Sequence, residues 1–524
     1  MGATKKITIN KAIIEEMMET VRKLYLADDI PWVIGYSGGK DSTATLQLVW
    51  YALEKMSPDQ MKKTVHVINT DTLVESPVIS RWAKKSLDEL EKMSDEKRMP
   101  FKTHILTPEV NNTFWVNFLG KGYPFPRKKL RWCTDRLKIQ PVNNFIKDKI
   151  AEHGEIILVI GTRKAESTNR AKTMAKYEKM RVRDLLSPNP SMANELVFSP
   201  LENWTDDDVW VYLMQYKNPW GYSNKELMTI YRGATADNEC PLMIEKNLPS
   251  CGKSRFGCWV CTMVERDKSM EAMVAKNEKA WMSPLLKFRN EFGDESKDRE
   301  RRSFRKMDGS LQGSYKRLHH GPYKKGIREG WLRELLSIQR DINNNSPEEF
   351  ANIELISNDE LREIRRIWVL KKHEFDDSLP EIYEEIYGSP FDDPEWVGSQ
   401  LFGKEEWDLL ERVCKKDKYN SEELLFEMMY SLIDVENQSI GLDQKKGLLD
   451  SLEKVIKSNF YRDEKDATIY YTEQIKRKKE FGGNYNEKFL EQPILREGSM
   501  FFENRSQDAE IDRAIDEEES EDDN

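Results

Sequence analysis

Hydrophobic positions recur at helical spacing over residues 7–26, where Ile13, Ile14, Met17, Met18, Val21 and Leu24 fall on one face of an amphipathic helix. The pattern then changes. Ile30-Pro-Trp-Val-Ile-Gly-Tyr36 is a short apolar run of the kind that suits a buried strand. A helical stretch follows with Ala44, Leu46, Leu48, Val49 and Leu53 at its apolar positions, then a second run, Thr64-Val-His-Val-Ile-Asn69, and a helix from about Pro77 to Met93. A third run, Glu155-Ile-Ile-Leu-Val-Ile160, ends at Gly161. Strands alternating with helices predict an α/β fold, a parallel sheet with helices on both faces. In such folds ligands bind beyond the carboxyl ends of the strands. The expected organisation is an N-terminal helix in 1–28, an α/β domain over 29–235, a cysteine-rich, basic region over 236–330, a helical region over 331–507 and a tail over 508–524. The helical region shows its period in Trp331–Gln339 and Leu361–Leu370.

Composition changes this picture in two places. The net charge of −10 is an uneven average: residues 508–524 hold ten acidic residues against one Arg, so the rest of the 524-residue chain is close to neutral. Such a tail, nearly devoid of apolar residues, is expected to be disordered. The near-neutral body contains basic stretches: seven Lys/Arg against one Asp over 121–138, eight against two over 163–183, and eleven against three over 297–328. They are candidate contacts for a polyanion, and equally candidates for solvated charged surface. No apolar run approaches a membrane span, and Met1-Gly-Ala-Thr-Lys-Lys lacks the apolar core of a signal peptide, so a cytoplasmic location without membrane association is expected.

The candidate chemistry begins at Ser37-Gly-Gly-Lys-Asp-Ser42, between the first strand and its helix. Two glycines let backbone N–H groups approach phosphate oxygens, the helix presents its positive end, and Lys40 adds a cation. The bland alternative is a glycine turn with a surface lysine. The segment is not a Walker A loop, since Ile34 and Asp41 stand where that pattern needs Gly and Ser/Thr. It resembles the PP-loop of ATP pyrophosphatases, enzymes that split ATP between the α and β phosphates. The resemblance implies an adenine nucleotide alpha hydrolase-like fold in which Ser37, Gly38, Gly39, Lys40, Asp41 and Ser42 hold pyrophosphate. Lys40 would balance the β and γ phosphates, and Asp41 would be structural or magnesium-linked. Asp71, at the end of the second strand, suits a magnesium or ribose contact.

Further blocks follow in order: Val67-Ile-Asn-Thr-Asp-Thr72, Lys129-Leu-Arg-Trp-Cys-Thr-Asp-Arg136, Gly161-Thr-Arg-Lys-Ala-Glu-Ser-Thr-Asn-Arg170 and Ser199-Pro-Leu-Glu-Asn-Trp-Thr-Asp-Asp-Asp-Val-Trp210. Over about residues 30–215 this set resembles the adenylylsulfate/phosphoadenylylsulfate reductase branch of the PP-loop enzymes. The resemblance implies that Gly161 lines the nucleotide and that Arg163 and Arg170 clamp phosphate oxygens. The last block also reads as a helix start, with Thr205 as N-cap and Asp208 near the capping-box position. One departure matters. Those reductases carry a nucleophilic Cys near the C-terminus, whereas no cysteine follows Cys414 here, so reduction of an activated sulfate is disfavoured.

Six cysteines are too few for a disulfide scaffold, and four of them fall within 22 residues as Cys240-x10-Cys251-x6-Cys258-x2-Cys261. Zinc and a [4Fe–4S] cluster both accept four thiolates, and the spacing leaves both open. Cys133 lies near Arg131, Arg136 and Lys138, which would lower its pKa. It could join the cluster in place of one of the four, carry a persulfide, or be a small buried residue. Cys414 reads as core. The PP-loop, the reductase-like blocks, the four cysteines and the helical extension together resemble the DndC family, the sulfurtransferases of DNA phosphorothioation, a DNA modification of the restriction–modification kind. The resemblance implies ATP, Mg2+ and a [4Fe–4S] cluster as cofactors. It implies DNA, a cysteine desulfurase and other Dnd-system proteins as partners, and catalytic roles for Lys40, Asp41, Arg163, Arg170 and Cys133. The alternatives are a PP-loop thiolase acting on tRNA or a small oxyanion, and a non-catalytic, cluster-bearing scaffold subunit.

Overall fold

The computed structural model describes residues 9–480 except 190–191, 234–256, 276, 307–309, 315–316, 373, 375, 395, 397–403, 416–422, 438–446 and 459–463. The acidic tail expected over 508–524, together with Cys240 and Cys251, therefore lies outside the described residues.

The N-terminal amphipathic pattern forms helix α1, Lys11–Leu26, capped by the Asn10 side chain, which accepts a hydrogen bond from the Ile13 N–H. Strand β1 (Trp32–Gly35) leads through residues 36–39 into α2 (Lys40–Glu54). Then come β2 (Val65–Thr70), α3 (Pro77–Lys97), β3 (Phe101–Leu106), α4 (Gln140–His153) and β4 (Ile156–Val159). The unit is completed by α5 (Thr168–Glu178), β5 (Ser187–Pro188), β6 (Glu195–Phe198), α6 (Asp206–Gln215) and α7 (Asn224–Gly233). The six strands form one sheet in the order β3-β2-β1-β4-β6-β5, parallel except for β5, which runs antiparallel to β6 at the edge.

Side-chain alternation explains why helices cover both faces. Trp32 and Ile34 of β1, Val65 and Val67 of β2, and Ile157 and Val159 of β4 enter one core with α1, α2 and α6. Val33, Ile68 and Ile156 point the other way, to Ile146 of α4. The register Trp32↔Val65 and Trp32↔Ile157 keeps each set on its own face. This is the expected largely parallel sheet with helices on both faces. The apolar runs did not announce β3 or β6: β3 (Phe-Lys-Thr-His-Ile-Leu) is an edge strand whose polar residues break the run, and β6 (Glu-Leu-Val-Phe) opens on a glutamate.

Two compact units interleave along the chain. One gathers residues within 1–109, 133–289 and 346–353, the other residues within 110–132, 290–345 and 354–524. These divisions differ from the sequence-derived boundaries at 235 and 330, and long-range ring contacts are the reason. Phe118 stacks on Trp331 at 5.0 Å and meets Phe292 at 5.2 Å, which draws 110–132 into the second unit. Phe350 meets Trp281 at 5.0 Å and lies under the Arg81 guanidinium, which returns 346–353 to the first. The second unit is mostly helical, with helices at Lys325–Asn345, Asn358–Arg366, Ser378–Tyr387, Lys404–Lys415, Glu423–Asn437, Leu448–Ser458 and Glu464–Glu480. Cys414 is buried in one of them. Among the described residues no helix is long and apolar enough to cross a membrane.

Candidate functional site

The loop between β1 and α2 turns at Gly38, whose φ of +72° is a left-handed conformation that favours glycine. A Cβ there would stand 3.0 Å from the Ala83 Cβ. Gly39 is the N-cap of α2 and offers no side chain, so the first N–H groups of the helix face the loop. Ser37 and Ser42 brace the turn: the Ser42 hydroxyl accepts from the Ser37 N–H at 3.2 Å and donates to the Gly39 carbonyl at 3.1 Å. Gly161, just beyond β4, comes so close that a Cβ would lie 2.8 Å from the Asp41 carbonyl oxygen and 2.9 Å from Thr45 Oγ1. Only glycine lets the end of β4 pack against the first turn of α2.

Charges converge beside this loop. Lys40 Nζ lies 2.9 Å from Asp41 Oδ2 and 3.3 Å from Asp206 Oδ1. Arg163 donates through Nε to Asp41 at 2.7 Å, through Nη2 to Asp206 at 2.5 Å and through Nη1 to the Trp204 carbonyl at 3.2 Å. Burial alone would lower the pKa of Lys40, but Asp41, Tyr231 and Asp206 outweigh it and raise it. Burial would likewise raise Asp206, yet Lys40 and Arg163 hold it below the usual range. Two cations and two carboxylates thus balance one another at the phosphate loop. Asp41 and Asp206 are the carboxylates present for a magnesium ion, and Lys40 is the cation nearest the loop.

Arg163, the expected phosphate clamp, is 1% exposed, and all three of its nitrogens donate to protein acceptors. Its evident work is to orient Asp41 and Asp206. Arg170 stands elsewhere, on α5, paired with Glu166 at 3.1 Å. It lines a cavity of about 550 Å³ floored by Leu158, Ile160 and Val197 and walled by Tyr177 and Arg181. Ser167 caps α5 by accepting from the Arg170 N–H, so part of the 161–170 block is a helix start. Asp71 is tied into a turn, its Oδ1 accepting from the Leu73 N–H at 2.9 Å, and Leu73 adopts a φ of +64°.

Three participants were not singled out from the sequence. Thr205 and Asp208 do form the expected capping box, with Asp208 accepting from the Thr205 N–H at 2.8 Å. Asp206, taken with that block as a helix start, instead turns to Lys40 and Arg163. Three consecutive aspartates where the capping box uses one were the available signal. The Tyr231 hydroxyl accepts from the Lys40 N–H at 3.2 Å, and Trp82 Nε1 donates to the Gly38 carbonyl at 3.2 Å. Nothing local in the sequence marks either.

The thiols assemble beside the end of β2. Cys258 forms an antiparallel bridge with Glu75, the Trp259 N–H donates to the Val74 carbonyl at 3.0 Å, and Thr72 Oγ1 lies 3.3 Å from Cys258 Sγ. Cys133 is close enough to both Cys258 and Cys261 for their charges to interact. The expected lowering of the Cys133 pKa is reversed: burial, reinforced by Cys261, pushes its thiol up to about 11, and Lys138 offsets only part of this. Burial pushes Cys258 up to about 12. Among the described residues no three His, Cys, Asp or Glu side chains are placed to hold one metal ion. A multi-iron cluster does not need that convergence, because each cysteine takes a different iron. Cys133, Cys258 and Cys261, near enough for their charges to interact, are soft donors of the kind such a centre takes.

Residues 31–263 match the phosphoadenosine phosphosulfate reductase domain. This reductase-like domain contains the phosphate loop, the carboxylate–guanidinium group and the three gathered cysteines. An uncharacterized protein of Methanocaldococcus jannaschii is 26% identical over 235 residues, covering 45% of this chain and 37% of the relative, so the chain spans little more than a third of that protein's length. Two solved structures resemble part of this chain. Phosphoadenylyl-sulfate reductase from Candida auris, in a phosphate complex, is 14% identical over 40% of this chain and 88% of its own, with a TM-score of 0.24. The U34-tRNA thiolase NcsA from Methanococcus maripaludis, with its [4Fe-4S] cluster, is 18% identical over 48% of this chain and 80% of its own, with a TM-score of 0.25.

The basic stretches are largely compensated inside their own units. Over 163–183, Lys164 pairs with Glu178, Arg181 with Glu202 and Arg183 with Asp28, besides the Arg163 and Arg170 pairs. Over 297–328, Arg299 pairs with Glu464, Arg301 with Glu291, Arg302 with Asp298 and Arg328 with Glu374. Lys128 and Arg131, in 121–138, are exposed.

Proposed function

We propose that the chain is an ATP-dependent sulfurtransferase that activates a phosphodiester of DNA by adenylation and replaces a non-bridging oxygen with sulfur. The observation that carries this reading is adjacency. The phosphate loop follows β1, Cys258 bridges to the turn after β2, and the two strands are parallel neighbours in register. One end of one sheet would thus hold triphosphate and sulfur together. A non-bridging oxygen would attack the α phosphorus of ATP, releasing pyrophosphate. Sulfur at the sulfide level would then attack the activated phosphorus, forming a P–S bond while AMP leaves with the original oxygen. Backbone N–H groups of residues 38–42 and the Lys40 ammonium would stabilise charge on the departing pyrophosphate. Arg163 would keep Asp41 and Asp206 aimed at the loop, where they could hold Mg2+. A [4Fe–4S] cluster, held by thiolates from Cys240, Cys251, Cys258 and Cys261, or with Cys133 in place of one of them, would supply a soft site for sulfide. Arg170, at the neighbouring cavity, would contact the acceptor. A cysteine desulfurase and other Dnd-system proteins would be the partners.

The test is mass spectrometry of nuclease-digested genomic DNA from the native host, comparing wild type with Lys40→Ala and Cys258→Ser. Phosphorothioate dinucleotides present in wild type and absent from both variants support the proposal. None in wild type, with thiolated tRNA that disappears in the same variants, replaces DNA by tRNA as acceptor. Unaltered phosphorothioation in Lys40→Ala would leave the scaffold reading.

A further inference from the structure

The Cys258-Trp-Val-Cys261 segment is held at its two ends by different means. Cys258 is fixed from the β2 side by the Glu75 bridge, the Val74 carbonyl and the Thr72 hydroxyl. Cys261 is tied to Cys258 only by a turn, its N–H donating to the Cys258 carbonyl at 3.0 Å. The chain then runs through 262–266 without helix or strand before Asp267 caps α8, Lys268–Val274. A loop with no ladder must place its carbonyls somewhere. Here three of them converge on one side chain. Arg289 donates through Nε to the Cys261 carbonyl at 2.9 Å, through Nη1 to the Glu265 carbonyl at 2.7 Å, and through Nη2 to the Val264 carbonyl. Arg289 belongs to the helix Ser283–Phe292, whose Leu285 and Phe288 are buried, and is itself 3% exposed. Its guanidinium also interacts electrostatically with the Cys261 thiol.

We infer that Arg289 is the positioning residue of the thiol centre: its guanidinium folds the 261–265 loop, fixes where Cys261 presents its sulfur, and sets a permanent positive charge beside it. The planar fork suits this task, since no other side chain offers donors in three directions at fixed angles. A cation beside thiolate ligands also favours the more negative, reduced state of any cluster they hold, which raises its potential. This part rests on the cluster reading of the proposed function; the folding of the loop does not.

The experiment uses the full chain as wild type, Arg289→Gln and Arg289→Lys. Alkylation of the iron-free protein, read by mass spectrometry at each cysteine and followed over pH so that rates are compared per thiolate, should be about ten-fold faster at Cys261 in Arg289→Gln, the size of losing one net hydrogen bond. Cys258 should stay near its wild-type rate, and ATP binding at the phosphate loop should be unchanged. After anaerobic reconstitution, Arg289→Gln should show a more negative midpoint potential in an EPR-monitored titration. Arg289→Lys should recover much of the potential but little of the Cys261 protection, because an ammonium keeps the charge but cannot span three carbonyls. Equal opening of Cys258 and Cys261, or loss of ATP binding along with them, overturns the assignment, since Arg289 would then support the whole unit. An unchanged Cys261 rate in Arg289→Gln overturns it as well. If the wild type takes up no iron and sulfide, the cluster reading fails while the alkylation rates still decide the role of Arg289.

Discussion

Arg163 separates two accounts of the phosphate loop. As a phosphate clamp, its loss would weaken ATP binding and leave the nucleotide-free protein as stable as before. As the organiser of Asp41 and Asp206, its loss would cost stability with no nucleotide present. Arg163→Met removes charge-assisted bonds of 2.7 Å to Asp41 and 2.5 Å to Asp206 and one of 3.2 Å to the Trp204 carbonyl. Breaking a fully buried pair costs about 3–5 kcal/mol. The carboxylates here keep 26% and 30% of their side-chain exposure, and solvent screening reduces the loss to about 2–3 kcal/mol. At about 2–4 °C per kcal/mol for a unit of this size, the melting midpoint should fall by roughly 4–12 °C. The pH dependence follows from Asp206. Its folded pKa is depressed by Lys40 and Arg163 against the upward push of burial, so the stability it contributes is present above the ordinary aspartate range, about pH 4, and lost as pH falls through the folded value. The gap between wild type and variant should therefore be full at pH 7 and narrow in acid. Scanning calorimetry without nucleotide at both pH values, with titration calorimetry for ATP, makes the measurement. An unchanged nucleotide-free midpoint together with a ten-fold weaker ATP Kd would refute the reasoning.

Gly161→Ala forces a Cβ to 2.8 Å from the Asp41 carbonyl oxygen, so it should cost about 1–3 kcal/mol and, by displacing the loop, slow pyrophosphate release from ATP by about 10²-fold. Wild-type turnover in that variant would mean that β4 and α2 separate freely. Tyr231→Phe removes the hydroxyl that satisfies the Lys40 N–H, leaving that donor for phosphate, so ATP should bind about three- to ten-fold more tightly by titration calorimetry. Weaker binding would instead make the hydroxyl a ligand. His66 is held at a pKa of about 4, first by burial and then by His104 and Lys149. The unfolded chain therefore binds the extra proton between about pH 6.5 and 4, and stability should fall by up to about 3 kcal/mol as pH drops through that window. His66→Gln should flatten the fall in thermal midpoints, and a wild-type slope in that variant removes His66 as the cause. Binding of duplex DNA should weaken with salt by a log–log slope of about −0.9 per phosphate neutralised, and a flat dependence would exclude DNA as a direct ligand.

Much of the architecture was written locally. The runs at 30–36, 64–69 and 155–160 are apolar on both faces because their strands are covered on both faces, and that is a property of each segment by itself. The glycine turn before α2 was equally legible, since its glycines and serines act within six consecutive residues. The capping box at Thr205 needs only four consecutive residues. What escaped depends on partners far along the chain. Arg163 meets Asp41 across 122 positions and Tyr231 meets Lys40 across 191, and no periodicity records which charge will be neutralised by which. The charge counts left both readings open for that reason, because they cannot distinguish an arginine facing a polyanion from one facing Glu374 or Asp206. Cys133 read as a low-pKa thiol beside basic residues, but folding buries it next to other sulfurs, and desolvation outweighs the nearby lysine. The sequence by itself determined the strands β1, β2 and β4 and the glycine turn that opens α2, because those depend on neighbours in the chain. Only the tertiary structure decided which groups share a site and in what charge state, because burial and pairing depend on neighbours in space.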